Sequence, residues 1–526
     1  MAETISCPGL RQLLDSAENY ALFDVREQGE YHDRQIPGAT SLPRRQIEFR
    51  LPDLAPNIHI PLVVYDGGDE RALLAAPTME TMGFQKVSVL EGGLPAWIDA
   101  GYSTVRGVNV PSKAFGEKLH LERKIPEITP DGLRALRENH AELIILDARS
   151  PEEYRRFCIP GAFNVPGGDL ILWAGALRRK PDMTVVVNCA GRTRSIVGTA
   201  ALRRLGLANA YALKNGTMGW LLEGLELELN PTRETPVPPP ESRKEAELLA
   251  LRVAEEEEIP FVSVHELLAL KDEDDRQIFY LIDVRSENEF SRGHIPGSIG
   301  IPAGQAVQRA DDYIAVKNAR IIFASNQQAR SIMAAYWFRQ MGFCKASVLQ
   351  GGIGAWSESG AALEKGIPLR TPAGWEEAKR SVRLIAAGQL ATLLESGGTV
   401  VLDVGTSLEF EAGHVPGSHW LSRGWLEPKV AALFPDPMRS VVMTCPNGYH
   451  STLAARALAR LGYANVAVLD GGLIGWGAGG YPIETGLQGC LSEPNDVILS
   501  PSLKGDKEAM KRYLEWETQL AENLSE

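Results

Sequence analysis

One pattern of residues recurs four times along this 526-residue chain, and it constrains the fold more than any other feature. Each copy has an apolar run ending in Asp, a Pro-Gly pair, a second apolar run, and a Trp that follows a glycine-containing turn. In every copy the proline comes 13 residues after the Asp, the residue ending the second apolar run comes 42 after it, and the Trp comes 31 later still. The copies start 123, 136 and 120 residues apart, so they predict four whole domains of one fold, which we call repeats one to four.

Within each repeat, short apolar runs alternate with helical patterns, which is typical of βα units around a parallel sheet. Residues 184–188, "TVVVN", are apolar at nearly consecutive positions, as expected of a strand buried on both faces. The predicted fold class is therefore α/β, with four tandem domains that each hold a mostly parallel sheet flanked by helices. In such sheets ligands bind beyond the carboxyl ends of the strands, which is where residue 189 falls.

The predicted domain ranges follow from the repeats and from the composition between them. Repeats one to four are expected at 1–108, 122–230, 259–368 and 376–486. Residues 231–258 are predicted to be a Pro-rich and acidic linker. Since Pro-rich linkers are semi-rigid spacers, we expect repeats one and two to form one pair and repeats three and four another. Residues 487–526 predict an extension with an amphipathic helix that packs on the protein or on a second subunit.

Composition excludes several classes of protein. The chain is 44% hydrophobic and 23% charged, as in ordinary globular proteins, and it lacks both a secretion-type N-terminus and a run of eighteen apolar residues. A net charge of −13 argues against nucleic-acid binding. The six cysteines include no CxxC pair, which fits neither a disulfide framework nor a zinc site. We therefore expect a cytoplasmic protein without membrane or nucleic-acid partners.

The loop after Cys189 has the composition of an anion site. Successive backbone N–H groups in such a turn, together with the helix N-terminus that follows, attract negative charge, and Arg192 and Arg194 add to the field. A thiol there falls from a pKa near 8.5 to roughly 3.5–7.5, which predicts a reactive nucleophile instead of a small buried hydrophobe. The candidate binding residues are Ala190, Gly191, Arg192, Thr193, Arg194 and Ser195.

The other three repeats carry different residues at the position of Cys189. Asp66 in repeat one cannot attack sulfur, and Ser325 in repeat three has no adjacent base to activate it, so both repeats are predicted to be inactive. Cys445 in repeat four keeps the thiol, but the loop after it carries His450 and no arginine. Cys445 is thus a second candidate catalytic residue or a vestigial one.

The combined motifs resemble the rhodanese family of sulfurtransferases over nearly the whole chain. The motifs are Asp-x-Arg, Ile-Pro-Gly, a strand-Cys-loop-helix segment, and Gly-Gly-x-x-x-Trp. The resemblance implies four tandem rhodanese-like domains and a thiosulfate sulfurtransferase without metal or organic cofactor. It further implies that Cys189 takes sulfur from a small anionic donor such as thiosulfate, and that a persulfide held by residues 190–195 passes it to cyanide or a thiol.

Some residues depart from the family pattern. Repeat two has Cys158 where repeats three and four have His294 and His414, and we interpret this as a packing substitution. We interpret Asp147 and Arg149 of repeat two as a structural pair that fixes the loop beside the site. Repeat four has Gly405 in place of the arginine of Asp-x-Arg, which is expected to weaken its own strand-end ion pair.

Two other functions remain open from the sequence. Two repeats without a nucleophile suggest a sulfur carrier or a regulatory binding scaffold. A cysteine phosphatase is less compatible, because in the family's phosphatase branch an arginine lies six residues after the cysteine. Ser195 and Ser451 occupy that position here.

Overall fold

The computed structural model describes residues 3–272, 278–368 and 371–521. Each repeat contains a five-stranded parallel sheet in which the strands lie in the order first, fifth, fourth, second, third. The predicted α/β class is therefore confirmed. The last five residues of the predicted C-terminal extension lie outside the described residues.

Repeat one and the segment after it contain five strands and six helices. The strands are β1 (Glu3–Ile5), β2 (Ala21–Asp24), β3 (Thr40–Ser41), β4 (Leu62–Tyr65) and β5 (Val87–Leu90). The helices are α1 (Cys7–Leu14), α2 (Gln28–Asp33), α3 (Ile47–Leu54), α4 (Arg71–Thr81), α5 (Gly93–Asp99) and the connecting α6 (Val110–Arg123).

Repeat two adds a two-stranded antiparallel ribbon, β8 with β12, to the common sheet. Its strands are β6 (Glu127–Ile128), β7 (Leu143–Asp147), β8 (Phe157–Cys158), β9 (Phe163–Asn164), β10 (Thr184–Asn188), β11 (Ala210–Leu213) and β12 (Glu228–Leu229). Its helices are α7 (Pro130–Glu138), α8 (Pro151–Arg156), α9 (Ala174–Arg178), α10 (Thr193–Arg204) and α11 (Gly216–Leu222), and the connecting helix α12 spans Pro240–Glu256.

Repeat three follows the same plan. Its strands are β13 (Phe261–Val262), β14 (Phe279–Asp283), β15 (Ile299–Gly300), β16 (Arg320–Ala324) and β17 (Ala346–Leu349). Its helices are α13 (Val264–Asp272), α14 (Glu287–Arg292), α15 (Ala303–Gln308), α16 (Ala310–Tyr313), α17 (Gln328–Gln340) and α18 (Gly352–Glu358), with α19 (Trp375–Ser381) leading to repeat four.

Repeat four and the C-terminal segment complete the chain. The strands are β18 (Arg383–Ile385), β19 (Val400–Asp403), β20 (His419–Trp420), β21 (Val441–Thr444) and β22 (Val466–Leu469). The helices are α20 (Ala387–Ser396), α21 (Ser407–Ala412), α22 (Leu426–Leu433), α23 (Tyr449–Arg460) and α24 (Gly472–Ala478), followed by α25 (Pro501–Lys504) and α26 (Lys507–Gln519).

The repeats do not pair in the order of the chain. One compact unit holds repeats one and four, and the other holds repeats two and three together with residues 499–521. The prediction of two sequential tandem pairs is therefore wrong. It rested on the Pro-rich composition of the connection, and composition does not determine which surfaces are complementary.

The predicted linker is largely a packed helix. Helix α12 lies against α9 of repeat two and α17 of repeat three, and its small side chains Ala246 and Ala250 are buried there. The hydroxyl of Ser242 donates to the carbonyl oxygen of Leu172 at 2.8 Å and accepts from the backbone N–H of Ala176 at 2.9 Å. Residues 240–256 therefore join two repeats within one unit instead of acting as a spacer.

The tryptophan of each repeat anchors the end of its domain. All four indoles are buried, and each Nε1–H donates to the backbone carbonyl six residues further along the chain. The pairs are Trp97 with Ser103, Trp220 with Glu226, Trp356 with Ala362 and Trp476 with Pro482. A large apolar side chain with one polar group thus fills the core and fixes the exit of the chain at once.

The aspartate that ends the second strand is buried in all four repeats, but only three repeats supply it with a cation. In repeat two, Arg149 binds Asp147 at 2.7 Å and also donates to the carbonyl oxygen of Phe157 at 2.6 Å. Repeat four has Gly405 at the arginine position, and the carboxylate of Asp403 accepts the backbone N–H of Gly405 at 2.8 Å. Burial raises the pKa of Asp403 to about 7.

This difference predicts a pH-dependent stability for repeat four. Between about pH 4 and 7, Asp403 is ionised in the unfolded chain and protonated in the folded one, so stability falls as pH rises, by about 1.4 kcal/mol per pH unit. Asp403→Asn keeps an acceptor for Gly405 and does not titrate. We expect its Tm, relative to wild type, to increase from pH 5 to pH 7.5.

A matched control is Asp283→Asn in repeat three, which leaves the buried Arg285 without its ion-pair partner. It should lower the Tm at every pH in that range, because an unpaired buried charge is costly. A Tm difference between Asp403→Asn and wild type that stays constant with pH would contradict the prediction.

Candidate active site

The loop that follows the fourth strand of each sheet is held by a glycine-containing turn. In repeat two, the backbone N–H of Thr217 donates to the carbonyl oxygen of Cys189 at 2.8 Å. Gly216 has a φ of +54°, and a methyl group on its Cα would overlap that carbonyl. A glycine is therefore required, because it alone combines the left-handed backbone with so close an approach.

Repeat one shows what the loop does with a negative charge. The two carboxylate oxygens of Asp66 accept backbone N–H groups of the same loop, one from Gly68 and one from Ala72, each at 2.8 Å. These donors lie two and six residues after the side chain that they bind. In repeat four, Ser451 stands at the position of the second donor, and its N–H likewise points to the Sγ of Cys445, at 3.3 Å. The loop thus presents N–H groups to whatever side chain stands at its start.

Cys189 stands at that position in repeat two and is 2% exposed. Its Sγ lies 3.5 Å from the Oγ of Ser195, which itself donates to the carbonyl oxygen of Arg192 at 2.8 Å. Burial raises the pKa of the Cys189 thiol, and the charge of Arg194 and the hydrogen bonds of Ser195 offset this only in part. The prediction of a lowered thiol pKa is wrong for this conformation, because the composition of the loop does not reveal how deeply the sulfur is buried.

Both arginines of the loop are paired with carboxylates, which the sequence reading did not foresee. Arg194 binds Glu153 through two nitrogens at 2.5 and 2.8 Å. Burial raises the pKa of Glu153, but the Arg194 charge outweighs it and the pKa falls to about 2. Glu153 also completes the N-terminal cap of α8 by accepting the N–H of Ser150.

The pairing of Arg194 recurs in repeats one and three. Arg71 binds Glu30 in repeat one, and Arg330 binds Glu289 in repeat three. A glutamate stands six residues after the strand-end aspartate in every repeat, so this signal was present in the sequence although it was not used. Repeat four has His450 in place of the arginine.

Arg192 is held by residues from three other parts of the chain. Its guanidinium binds both oxygens of Glu117 on α6, at 2.6 and 2.9 Å, and contacts Glu127 at 3.3 Å and the side chain of Asn215 at 3.1 Å. Arg192 therefore connects the loop to α6 and to the turn before α11. The two cations stabilise the conformation of the loop instead of projecting as free charges.

The C-terminal helix also reaches this loop. The carboxylate of Glu517 on α26 accepts the hydroxyl of Thr193 at 2.6 Å, and Tyr513 and Leu514 lie beside Gly191. The prediction that this segment packs on the protein is confirmed, and it packs on repeat two. Glu517 was not predicted as a site residue, since it lies 328 positions after Cys189 and outside every repeat.

Cys445 occupies the same place in repeat four. Its Sγ lies 3.4 Å from the Oγ of Ser451, and burial raises the pKa of its thiol, with Asp403 raising it further. His450 stacks on Phe49 with ring centroids 4.4 Å apart, and burial holds its pKa well below the usual value. The loop of Cys445 therefore has a neutral imidazole where that of Cys189 has a guanidinium.

Cavities lie beside both loops. A cavity in the unit of repeats two and three is lined by Thr193 and Arg194 of the first loop and by Arg330. A cavity in repeat four is lined by Asn447 and Tyr449 of the second loop and by Trp375 of α19. Each thiol loop thus borders a cavity.

Ser325 and Cys158 both make local contacts. The hydroxyl of Ser325 bonds the carbonyl oxygen of Gln327 and lies 3.1 Å from the Oγ of Ser331. Cys158 is buried in the core of repeat two and its Sγ accepts from Arg233 at 3.3 Å. Burial raises the pKa of Cys158 to about 11, as suits a packing residue.

None of the helices in the described part of the chain has the length and apolar character needed to cross a bilayer. Among the same described residues, no three His, Cys, Asp or Glu side chains are grouped so that they could hold a metal ion. All six cysteines are described, and all are free thiols.

Comparison with known proteins identifies the repeats. The family model "Rhodanese-like domain" matches residues 8–100, 129–223, 263–359 and 386–478. The crystal structure of a thiosulfate sulfurtransferase from Pseudomonas aeruginosa superposes with a TM-score of 0.90 at 35% identity, over 99% of this chain and 98% of that chain. The four matches confirm the resemblance on which the prediction of tandem rhodanese-like domains rested.

Sequence relatives match shorter parts of the chain. A thiosulfate sulfurtransferase of Azotobacter vinelandii is 30% identical over 206 residues, 34% of this chain and 73% of the relative. A 3-mercaptopyruvate sulfurtransferase of Escherichia coli K12 is 28% identical over 218 residues, 36% of this chain and 75% of the relative. The putative sulfur carrier protein YrkF of Bacillus subtilis is 36% identical over 93 residues, 18% of this chain and about half (49%) of that relative.

The pairing of Arg194 with Glu153 predicts how the Cys189 thiol responds to charge. Glu153→Gln removes a negative charge near the thiol and leaves Arg194 uncompensated, which favours the thiolate. We expect the pH midpoint for alkylation of Cys189 by iodoacetamide, measured by peptide mass spectrometry, to fall by about one pH unit.

The matched control is Glu289→Gln in repeat three, which removes the equivalent partner of Arg330 and should leave the Cys189 midpoint in place. An unchanged or raised midpoint in Glu153→Gln would contradict the electrostatic role given to this pair.

Proposed function

Because this chain belongs to the rhodanese-like domain family, we propose that it is a sulfurtransferase acting through a persulfide on Cys189. The donor is a small anion such as thiosulfate, and the acceptor is cyanide or a cellular thiol. The residues of the site are Cys189 as nucleophile and the loop Ala190, Gly191, Arg192, Thr193, Arg194 and Ser195 as its binding cradle. No metal or organic cofactor takes part in the proposed reaction.

One observation supports this proposal most directly, namely the binding of the Asp66 carboxylate by the N–H groups of Gly68 and Ala72. Repeat two has Gly191 and Ser195 at the positions of those two donors. A persulfide on Cys189 extends one sulfur beyond a thiolate and carries a negative charge at neutral pH. The same pair of N–H groups is therefore suited to stabilise that charge.

The proposed reaction has two covalent steps. In the first, the Cys189 thiolate attacks the outer sulfur of thiosulfate, a new S–S bond forms, and the S–S bond of thiosulfate breaks as sulfite leaves with the electron pair. In the second, cyanide or a thiolate attacks the terminal sulfur of the persulfide, and Cys189 regains its thiolate. Sulfur is transferred in both steps and no external oxidant or reductant is needed.

The positive charges of the loop suit an anionic donor. Arg194 lowers the free energy of a thiolate on Cys189, and its pairing with Glu153 holds it in place on the rigid start of α10. Thiosulfate and 3-mercaptopyruvate are both anions, and both occur in the names of similar proteins. We propose thiosulfate as the first donor to test.

The free state of all six thiols supports a reducing, cytoplasmic location. The acidic net charge of −13 supports small-molecule partners in place of nucleic acid.

Repeats one and three are proposed to be structural. Asp66 fills its own cradle with a carboxylate, and the hydroxyl of Ser325 is bonded within its loop. A role as sulfur carriers would require a nucleophile in these repeats, and a role as recognition modules would require a free cradle. In repeat four, the cavity beside the Cys445 loop, which Lys379 also lines, favours a second sulfur-accepting thiol, although the loop itself carries no arginine.

Substitution of the two thiols tests these roles. Cys189→Ser should lower the rate of thiocyanate formation from cyanide and thiosulfate at least 100-fold, because serine forms no persulfide. After incubation with thiosulfate alone, mass spectrometry of the wild-type protein should find an added 32 Da on the peptide with Cys189. Cys445→Ser, assayed in parallel, reports whether repeat four contributes turnover of its own.

Cys344→Ser is the matched control, since Cys344 is an exposed thiol in repeat three. It should retain wild-type activity. Full activity of Cys189→Ser would refute the proposed role of Cys189. Release of phosphate from an aryl phosphate by wild type but not by Cys189→Ser would favour a phosphatase instead.

A further inference from the structure

Helix α26 docks on the element that holds the nucleophile loop. Its buried side chains Met510 and Leu514 form an apolar cluster with Met218 of α11. The backbone N–H of Met218 in turn donates to the carbonyl oxygen of Ala190, the residue after Cys189, at 3.0 Å. Met218 thus contacts both the C-terminal helix and the loop.

Glu517 is the polar group that α26 brings to this loop. It is 1% exposed, and while its Oε1 accepts the hydroxyl of Thr193, its Oε2 is buried without a hydrogen-bond partner in the described part of the chain. This unpartnered oxygen faces the loop, since a methyl group on Gly191 would lie 3.2 Å from it. A buried carboxylate oxygen without a partner is unfavourable, so its position calls for an explanation beyond stability.

The charged groups around Glu517 come from α6 and from the loop. Lys113 and Glu117 face it from α6, and Arg192 faces it from the loop. The ammonium of Lys113 lies 5.0 Å from the ring centre of Tyr513 and 4.9 Å from that of Trp516, so α26 covers this cation with two aromatic rings. Glu517 and these rings therefore fill the side of the loop on which Gly191 lies.

A carboxylate at this place competes with the anion that the loop is built to bind. It lies against Gly191, whose N–H is one of the two donors proposed to hold the persulfide. When ionised it also opposes formation of the thiolate, since burial raises the pKa of Cys189 and the charge of Glu517 raises it further. Burial raises the pKa of Glu517 itself, and the charge of Lys113 offsets this only in part. Both effects disappear when the helix leaves the loop.

We infer that Glu517 is a specificity-determining residue of the Cys189 site and that α26 acts as a lid, which excludes small anionic donors from the thiol while it is docked. This inference rests on the proposed function of Cys189. Sulfur loading by thiosulfate then requires displacement of α26, and neutral reagents are excluded less strongly than anions of the same size.

Two alkylating agents of nearly equal size separate charge from access. Iodoacetate is an anion and iodoacetamide is neutral, and the rate of reaction of Cys189 with each is measured in the full chain by peptide mass spectrometry. Glu517→Gln should increase the ratio of the iodoacetate rate to the iodoacetamide rate about tenfold. The control Glu515→Gln removes the same charge from an exposed position of the same helix and should change the ratio less than twofold. An unchanged ratio in Glu517→Gln, or an equal rise in Glu515→Gln, would overturn the role of Glu517.

Displacement of the helix is tested by Met510→Asp, which places a charge in the apolar cluster away from Gly191. It should increase both alkylation rates at least tenfold, whereas Thr518→Asp, an equal change of charge at an exposed position, should not. Unchanged rates in a folded Met510→Asp variant would overturn the lid, and Glu517→Gln remains decisive if that variant does not fold. Alkylation reports on the thiol itself, so this result stands apart from failure of the proposed activity, which is judged by thiocyanate formation in Cys189→Ser.

Discussion

A single backbone contact organises every repeat: the carbonyl oxygen of the residue at the nucleophile position accepts an N–H from the glycine-containing turn. The donors are Leu94, Thr217, Ile353 and Leu473, at 2.8 to 3.1 Å. With its carbonyl directed to that turn, the loop curls so that its own N–H groups face the side chain of the same residue. The anion cradle is therefore a property of the fold and precedes any choice of nucleophile.

The four repeats then differ in what they place in this cradle. Asp66 brings a permanent carboxylate, Ser325 brings a hydroxyl that bonds within its loop, and Cys189 and Cys445 bring thiols. The residue five positions later is an arginine paired with a glutamate in repeats one to three, whereas repeat four has the neutral, stacked His450. The sheet is the same in all four repeats because the contacts that hold it do not involve the side chain at the nucleophile position.

Much of this arrangement was predictable from spacing alone. Residues with constant offsets, such as Trp220 and Gly216, recur in every repeat. Their roles depend on local geometry, so the repeated spacing is enough to single them out. Glu153 lies at an equally regular offset, but spacing alone does not reveal that it pairs with Arg194. Glu117 and Glu517 have no counterpart at a repeated offset, so no spacing argument leads to them.

The sequence by itself determined the number of domains, the α/β class, and the place of Cys189 at the end of a buried strand, because these depend on short-range patterns of apolar, glycine and turn residues. Only the tertiary structure decided that repeat one joins repeat four and repeat two joins repeat three in compact units. It alone decided that Cys189 is buried and that the last helix packs against its loop. Burial and charge pairing arise from surfaces far apart in the chain, and these set the pKa of a thiol more strongly than its neighbours in sequence.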